Sequence, residues 1–209
     1  MERILVNCSP RETRVASLEE SEIRDIWLER ECACGYVGNV YLGKVVRVLP
    51  GMQSAFVDIG LDRTAFLHVA DVEAAYADNG TLIPIEKILH EGKHLMVQVA
   101  KDPIGTKGAR LTTTISLAGR KLVYLPRDAH IGVSQRIEDD ELRESLRAWV
   151  TALRPKEEKG GYIVRTCAEE GVSEKEFLND MAYLRLLWSE INQKAQKAKV
   201  PALLYKDLS

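Results

Sequence analysis

Two phenylalanines ten residues apart constrain this chain more than any other feature of its sequence. They sit within Ser54-Ala55-Phe56-Val57-Asp58-Ile59-Gly60 and Thr64-Ala65-Phe66-Leu67-His68, two short strand-like segments joined by a Gly-Leu-Asp-Arg turn. In a small antiparallel barrel, neighbouring strands joined this way carry such aromatics on one outer face. An exposed aromatic pair there is a stacking platform for unpaired bases. Residue type alone also allows both rings to be core.

The phenylalanines belong to a run of five strand-like segments. Residues 36–49 alternate apolar and polar side chains and end on a Pro50-Gly51 turn. Segments 52–59 and 64–69 follow, and 95–100 and 110–116 complete the set. Between the third and fourth lies an excursion, 70–92, with helical stretches and a break at Pro84. Five short strands with a longer excursion in that place is the layout of an OB-fold.

Charge distribution adds a ligand class to this barrel. The net charge of −2 gives no hint of nucleic acid. Yet from Lys93 to Arg127 there are seven basic residues (Lys93, Lys101, Lys107, Arg110, Arg120, Lys121 and Arg127) against one acid, Asp102. The first 35 residues hold eight acids and five bases. A basic stripe on an otherwise acidic chain reads either as a solvated face or as a groove that tracks a nucleic-acid backbone. Its coincidence with the aromatic pair favours RNA or single-stranded DNA. Gly105-Thr106-Lys107-Gly108 puts a mobile cation between glycines on the loop before the last strand, where a phosphate can come close. No GxxxxGK[ST] motif is present, so nucleotide hydrolysis is not supported.

Neither an 18-residue apolar run nor a signal-like N-terminus occurs, so the expectation is a cytoplasmic protein without a membrane span. The 209 residues suffice for one to three compact units. Cysteines stand at 8, 32, 34 and 167. Cys32-x-Cys34 is too tightly spaced for a zinc knuckle, so free thiols and no metal are expected.

Beyond the barrel the pattern changes. Residues 119–126 read as a strand. Residues 139–153 read as a helix with Leu142, Leu146, Trp149 and Leu153 on one face, and 162–166 as another strand. A second helix opens on a capping box, Ser173 to Glu176, with Phe177, Met181, Leu184, Trp188 and Ile191 along its buried side. This is an α+β layer of strands backed by two helices. Arg165-Thr166 sits at a strand end. The pair can be a surface ion-pairing residue and a turn starter, or a guanidinium fork and a hydroxyl for phosphate oxygens.

GNVYLGKVVRVLPGMQSAFVDIG, AFLH, VQVAKDPIGTKGARLTTTISL, AGRKLVYLP, GVSQRIE and YIVRTCAEE, in this order, resemble the bacterial ribonuclease E/G family, its ribonuclease G branch more than its ribonuclease E branch. The resemblance runs from about Ile4 to the end of the chain. It implies an α+β, multidomain protein. Residues 1–35 would be the first strands of an RNase H-like subdomain. A five-stranded OB-fold barrel would be inserted after them at 36–118, and a 5′-sensor subdomain would follow at 119–205. The family's magnesium-holding aspartates and the zinc link that joins its subunits into homo-oligomers would lie beyond residue 209. No catalytic residue and no metal ligand is therefore expected in these residues, which alone would not cut RNA.

The same resemblance places the family's base-stacking and clamping positions on Phe56, Phe66 and Lys107, with Arg110 in the basic stripe beside them. It places the 5′-monophosphate pocket on Gly119, Val123, Arg165 and Thr166, with Arg136 as an auxiliary contact. The implied partner is single-stranded RNA with a 5′-monophosphate end. The implied function is RNA binding and end sensing for a single-strand-specific endoribonuclease of RNA processing and decay. A free-standing RNA-binding module that does not cut is the alternative. Either way, Ile4, Val6, Val15, Leu18, Ile23, Ile26 and Trp27 are expected to be left partly uncovered.

Overall fold

A computed structural model describes residues 2–9, 12–19, 22–30, 35–75, 80–169 and 171–207. Cys32 and Cys34 lie outside the described residues. Residues 1–36 and 37–209 form two separate compact units. Among the described residues no helix is long and apolar enough to cross a membrane.

The first unit is an antiparallel meander of β1 (Glu2–Ser9), β2 (Glu12–Glu19) and β3 (Glu22–Arg30). Its register lines up Val6, Val15 and Trp27 on one face and Leu5, Ala16 and Ile26 on the other. Apolar rows on both faces are the signature of a sheet meant to be covered on both sides. Here Ile4, Val6, Ile26 and Trp27 are 69, 63, 65 and 54 % exposed, and Ile23 is exposed as well. Val15 and Leu18, on the central strand, are half-buried.

The second unit opens with β4 (Val40–Leu49), β5 (Ser54–Asp58), β6 (Ala65–His68), β7 (His94–Lys101) and β8 (Arg110–Thr112). They pair in the order β4-β5-β6-β8-β7, and β7 pairs back onto β4 to close the barrel. β6 and β8 run parallel and the other pairs antiparallel. This closed, mixed five-stranded barrel is compatible with an OB-fold. Alternate residues fill its interior: Tyr41, Val45, Ala55, Val57, Ala65, Leu67, Val97, Val99 and Leu111 share one buried cluster.

Two strand ends fall short of their predicted places for local reasons. The first strand starts at Val40 rather than 36 because Gly38 takes a φ of +83° and donates its N–H to the Val99 carbonyl at 2.9 Å. The last stops at Thr112 rather than 116. There the Thr113 N–H and the Thr112 hydroxyl both donate to the Asp71 carbonyl, at 2.9 and 3.1 Å, and turn the chain.

The remainder is the helix-backed layer. β9 (Leu117–Ala118), β10 (Leu122–Leu125), β11 (Ile131–Val133) and β12 (Gly161–Val164) form a sheet in the order β11-β12-β10-β9. The helices α2 (Asp140–Leu153) and α3 (Glu174–Lys197) share its core. The short α1 (Ile85–Ile88) belongs to the barrel excursion. α2 is capped by the Asp139 side chain and α3 by the full Ser173–Glu176 capping box. Leu146 and Val150 are the buried residues of α2. Trp149, expected on the inner face, is instead 46 % exposed, because position 150 has the better aim at the sheet. Finally β13 (Ala202–Tyr205) returns to pair with β4.

Glu158 organises one edge of this layer. Its carboxylate accepts from the Tyr124 hydroxyl at 2.7 Å and the Tyr162 hydroxyl at 3.0 Å, with Arg185 3.7 Å away. Burial, then the Glu158 hydrogen bond and charge, push the Tyr124 hydroxyl above its ordinary range; burial and Glu158 do the same to Tyr162. At β13, burial first and Asp207 second push Tyr205 up to about 12.

A group whose folded value is raised contributes stability below its unfolded value and loses it as pH rises. Unfolding free energy should therefore fall between pH 10 and about 12, and Tyr205→Phe should flatten that fall. Denaturation midpoints across that window check it. For the first unit, amide exchange of β1–β3 should be far faster than that of β4–β7, with dye binding to exposed apolar surface. Uniform protection in a proven monomer would count against this.

Candidate nucleic-acid interface

Phe56 and Phe66 stand directly opposite each other on β5 and β6. Their neighbours Ala55, Val57, Ala65 and Leu67 point into the barrel and are fully buried, so strand alternation turns both rings outward. Both are half-buried and neither belongs to the barrel core. Ring centroids are 6.2 Å apart at 65°, an edge-to-face pair. Such a pair leaves a ring face free while each ring fixes the other.

Lys107 is exposed on the β7–β8 loop. A tight turn holds it: Ile104 and Lys107 exchange N–H···O bonds of 3.2 and 3.0 Å around Gly105, whose φ is +57°. The loop is tied to β6. Arg63 donates to the Gly105 carbonyl, and a Cβ on Gly108 would lie 2.0 Å from the Thr64 carbonyl oxygen. Only glycine permits that approach, so Lys107 is presented by a loop braced against the start of β6. Arg110 lies opposite Phe66 on β8, but its guanidinium is held by the Asp71 carboxylate at 3.0 and 2.8 Å. Its guanidinium is thus braced and part of its charge offset.

On the second layer, Arg165 follows β12. Its backbone N–H bonds the Lys121 carbonyl at 2.9 Å and its exposed guanidinium donates to the Gly119 carbonyl. Thr166 comes next, with its hydroxyl 3.1 Å from that of Ser134. Arg136 is exposed on the same turn as Ser134, to whose oxygen its N–H donates at 3.3 Å. Val123 lies on β10 opposite Ile163, half-buried, while its neighbours Leu122 and Tyr124 face the helices. The expected pocket residues thus lie along the rim where β9, β11 and β12 end and β10 begins, with Gly119 and Arg165 in contact.

Sequence reasoning missed the residue that shapes this edge. Asp180, on the buried face of α3, accepts from the backbone N–H groups of Arg120, Lys121 and Leu122 at 3.0, 2.8 and 2.8 Å. A Cβ on Gly119 would meet its oxygens at 2.6 and 2.7 Å. Glycine is therefore required at 119 by an internal carboxylate, and these three donors are already used. The exposed guanidinium of Arg165 and the hydroxyl of Thr166 are the side-chain donors beside this turn. The signal was present: an acid three residues after Phe177 and four before Leu184 interrupts an apolar stripe, and a buried charge demands partners.

Asp180→Asn keeps the size but leaves at least one of the three N–H groups, of which that of Leu122 is buried, without an acceptor, at about 1–3 kcal/mol. The unfolding free energy should drop by about that amount and the Arg165 side chain should lose its Gly119 anchor. Chemical denaturation and the exchange rates of the 120–122 amides check this.

Residues 116–209 match the family model described as Ribonuclease E/G family. Ribonuclease G of Escherichia coli (strain K12) is 46 % identical over 213 residues, covering 99 % of this chain and 43 % of its own length. Ribonuclease G of Haemophilus influenzae is 45 % identical, covering 97 % of this chain and 42 % of its own length. Ribonuclease E of Nostoc sp. is 40 % identical over 172 residues, 82 % of this chain and 24 % of its own length. The chain thus spans less than half the length of these relatives. Barrel, helix-backed sheet and near-complete alignment lead to one conclusion: the chain belongs to the ribonuclease E/G family.

Proposed function

We propose that residues 37–207 form the RNA-binding and 5′-end-sensing part of a single-strand-specific endoribonuclease that acts in RNA processing and decay. The observation that carries this reading is the outward edge-to-face pair of Phe56 and Phe66 on the barrel wall. It stands in a chain whose relatives are named ribonuclease G and ribonuclease E. Stacking supplies base-tolerant affinity, since every base has a π-face, and Lys107 supplies a point charge for the backbone.

Arg165 and Thr166 are assigned to a 5′-monophosphate. The Gly119 carbonyl holds one side of the guanidinium fork and leaves the rest for phosphate oxygens, while the Thr166 hydroxyl donates a further bond. Val123 supplies apolar support beside them, and Arg136 a second cation. A terminal hydroxyl offers this fork no charge. A triphosphate presents a bulkier group than one fork and one hydroxyl surround.

Among the described residues no group of three or more His, Cys, Asp or Glu side chains is placed to hold a metal ion.

Phe56→Ala and Phe66→Ala should each weaken single-stranded RNA binding about tenfold or more, since a stacked base is worth about 1–3 kcal/mol. The melting temperature should hold. Arg165→Ala and Thr166→Val should abolish preference for a 5′-monophosphate over a 5′-hydroxyl oligonucleotide, with barrel binding intact, and Arg165→Lys should restore it in part. Affinities for two oligonucleotides differing only at the 5′ end decide the matter. Equal affinities in the unaltered chain would remove the sensor; unchanged affinity in both phenylalanine variants would remove the platform.

A further inference from the structure

Two irregularities in the barrel strands turn cations onto the aromatic face. In β4, Val45 pairs with Val57 and Arg47 with Phe56, so Val46 is an extra residue, a β-bulge. Strict alternation from buried Val45 would aim Arg47 inward. The bulge reverses that, and Val46 and Arg47 are both exposed. In β7, Val99 pairs with Leu111 and Lys101 with Arg110, so Ala100 is the extra residue, and Ala100 and Lys101 are both exposed. Each bulge re-aims one basic side chain that the pleat would otherwise send to the interior.

The consequence is a single row across all five strands. Arg47 faces Phe56, Phe56 faces Phe66, Phe66 faces Arg110 and Arg110 faces Lys101. Because β7 pairs back onto β4, the row runs around the barrel wall, and its four inter-strand steps of about 4.8 Å give about 19 Å along that curved surface. The aromatic pair lies within the row and a cation ends it on each side. Arg110 is held by Asp71, whereas among the described residues neither Arg47 nor Lys101 has an ion-pair partner. Lys44, another exposed cation of β4, stands opposite Asp58 and lies off the row.

We infer that Arg47 and Lys101 are phosphate contacts at the two ends of the barrel's RNA track, so that a single strand follows the barrel wall around, roughly perpendicular to its strands. This rests on the reading of Phe56 and Phe66 as a stacking platform. Bases stack at the centre of the row, and the sugar–phosphate chain entering and leaving the stack meets Arg47 on one side and Lys101 on the other. A guanidinium or ammonium at each end fixes the direction of the strand, which stacking alone leaves free.

The test is the salt dependence of binding by the 209-residue chain to a 5′-hydroxyl oligouridylate, an end chosen to leave Arg165 unengaged. Each phosphate contact contributes about 0.7 to the slope of log affinity against log salt for single strands. Arg47→Gln and Lys101→Gln should each lower that slope by about 0.7, and the double variant by about 1.4. Affinity at low salt should fall several-fold each time. Lys44→Gln should leave the slope where it was, and Arg47→Lys should keep it. Unchanged slopes in the Arg47 and Lys101 variants, with the phenylalanine variants still weakening binding, would overturn the track while leaving the platform. A slope lost equally in Lys44→Gln would overturn it too, since that is the response to overall charge. If the phenylalanine variants have no effect either, the platform reading falls first and takes the track with it.

Discussion

The pairing of β4 is the constraint on which the second unit depends. Along one edge, Val40–Lys44 bonds to β7 and closes the barrel. Along the other, Lys44–Leu49 bonds to β5 while Val40, Tyr41 and Leu42 bond to β13. One ten-residue strand therefore belongs to the barrel wall and also receives the last strand of the helix-backed layer. Val40 and Leu204 lie in the core built on α2 and α3, whereas Tyr41 and Val45 lie in the barrel core. A long strand can serve two cores because successive side chains point to opposite faces, and here each face has its own hydrophobic cluster.

Much of this was legible in the sequence. Five segments with a long excursion after the third give the barrel, and the capping box and apolar spacing give α3. β11 and β13 were not legible: Ile131–Val133 is too short for a period, and Ala202–Tyr205 is a strand only because β4 offers it an edge. At the site, alternation correctly turned Phe56 and Phe66 outward, as Ala55 and Leu67 imply. Alternation also failed, at Val46 and Ala100, because an inserted residue leaves no mark in composition. Asp180 is legible only as an acid that interrupts the apolar stripe of α3; that its partners are the backbone N–H groups of 120–122 leaves no mark in the sequence.

The two faces proposed for RNA differ in how they are held. The phenylalanines rest on the barrel wall, and the loop of Lys107 is fastened by Arg63 and the Thr64 carbonyl. The Arg165 edge depends on a helix: α3 sends Asp180 to fix the 119–122 turn, and the turn presents the Gly119 carbonyl that holds the guanidinium. A charged interior group is thus used for orientation, with its own desolvation offset by three donors.

The second unit begins and ends in one place. The carboxylate of Asp207 crowds the position a Cβ on Gly38 would occupy, and the Asp207 N–H donates to the Asn39 side chain at 2.8 Å. A chain that enters and leaves a compact body side by side, along the paired strands β4 and β13, can have those two points joined by a short linker without stretching the body.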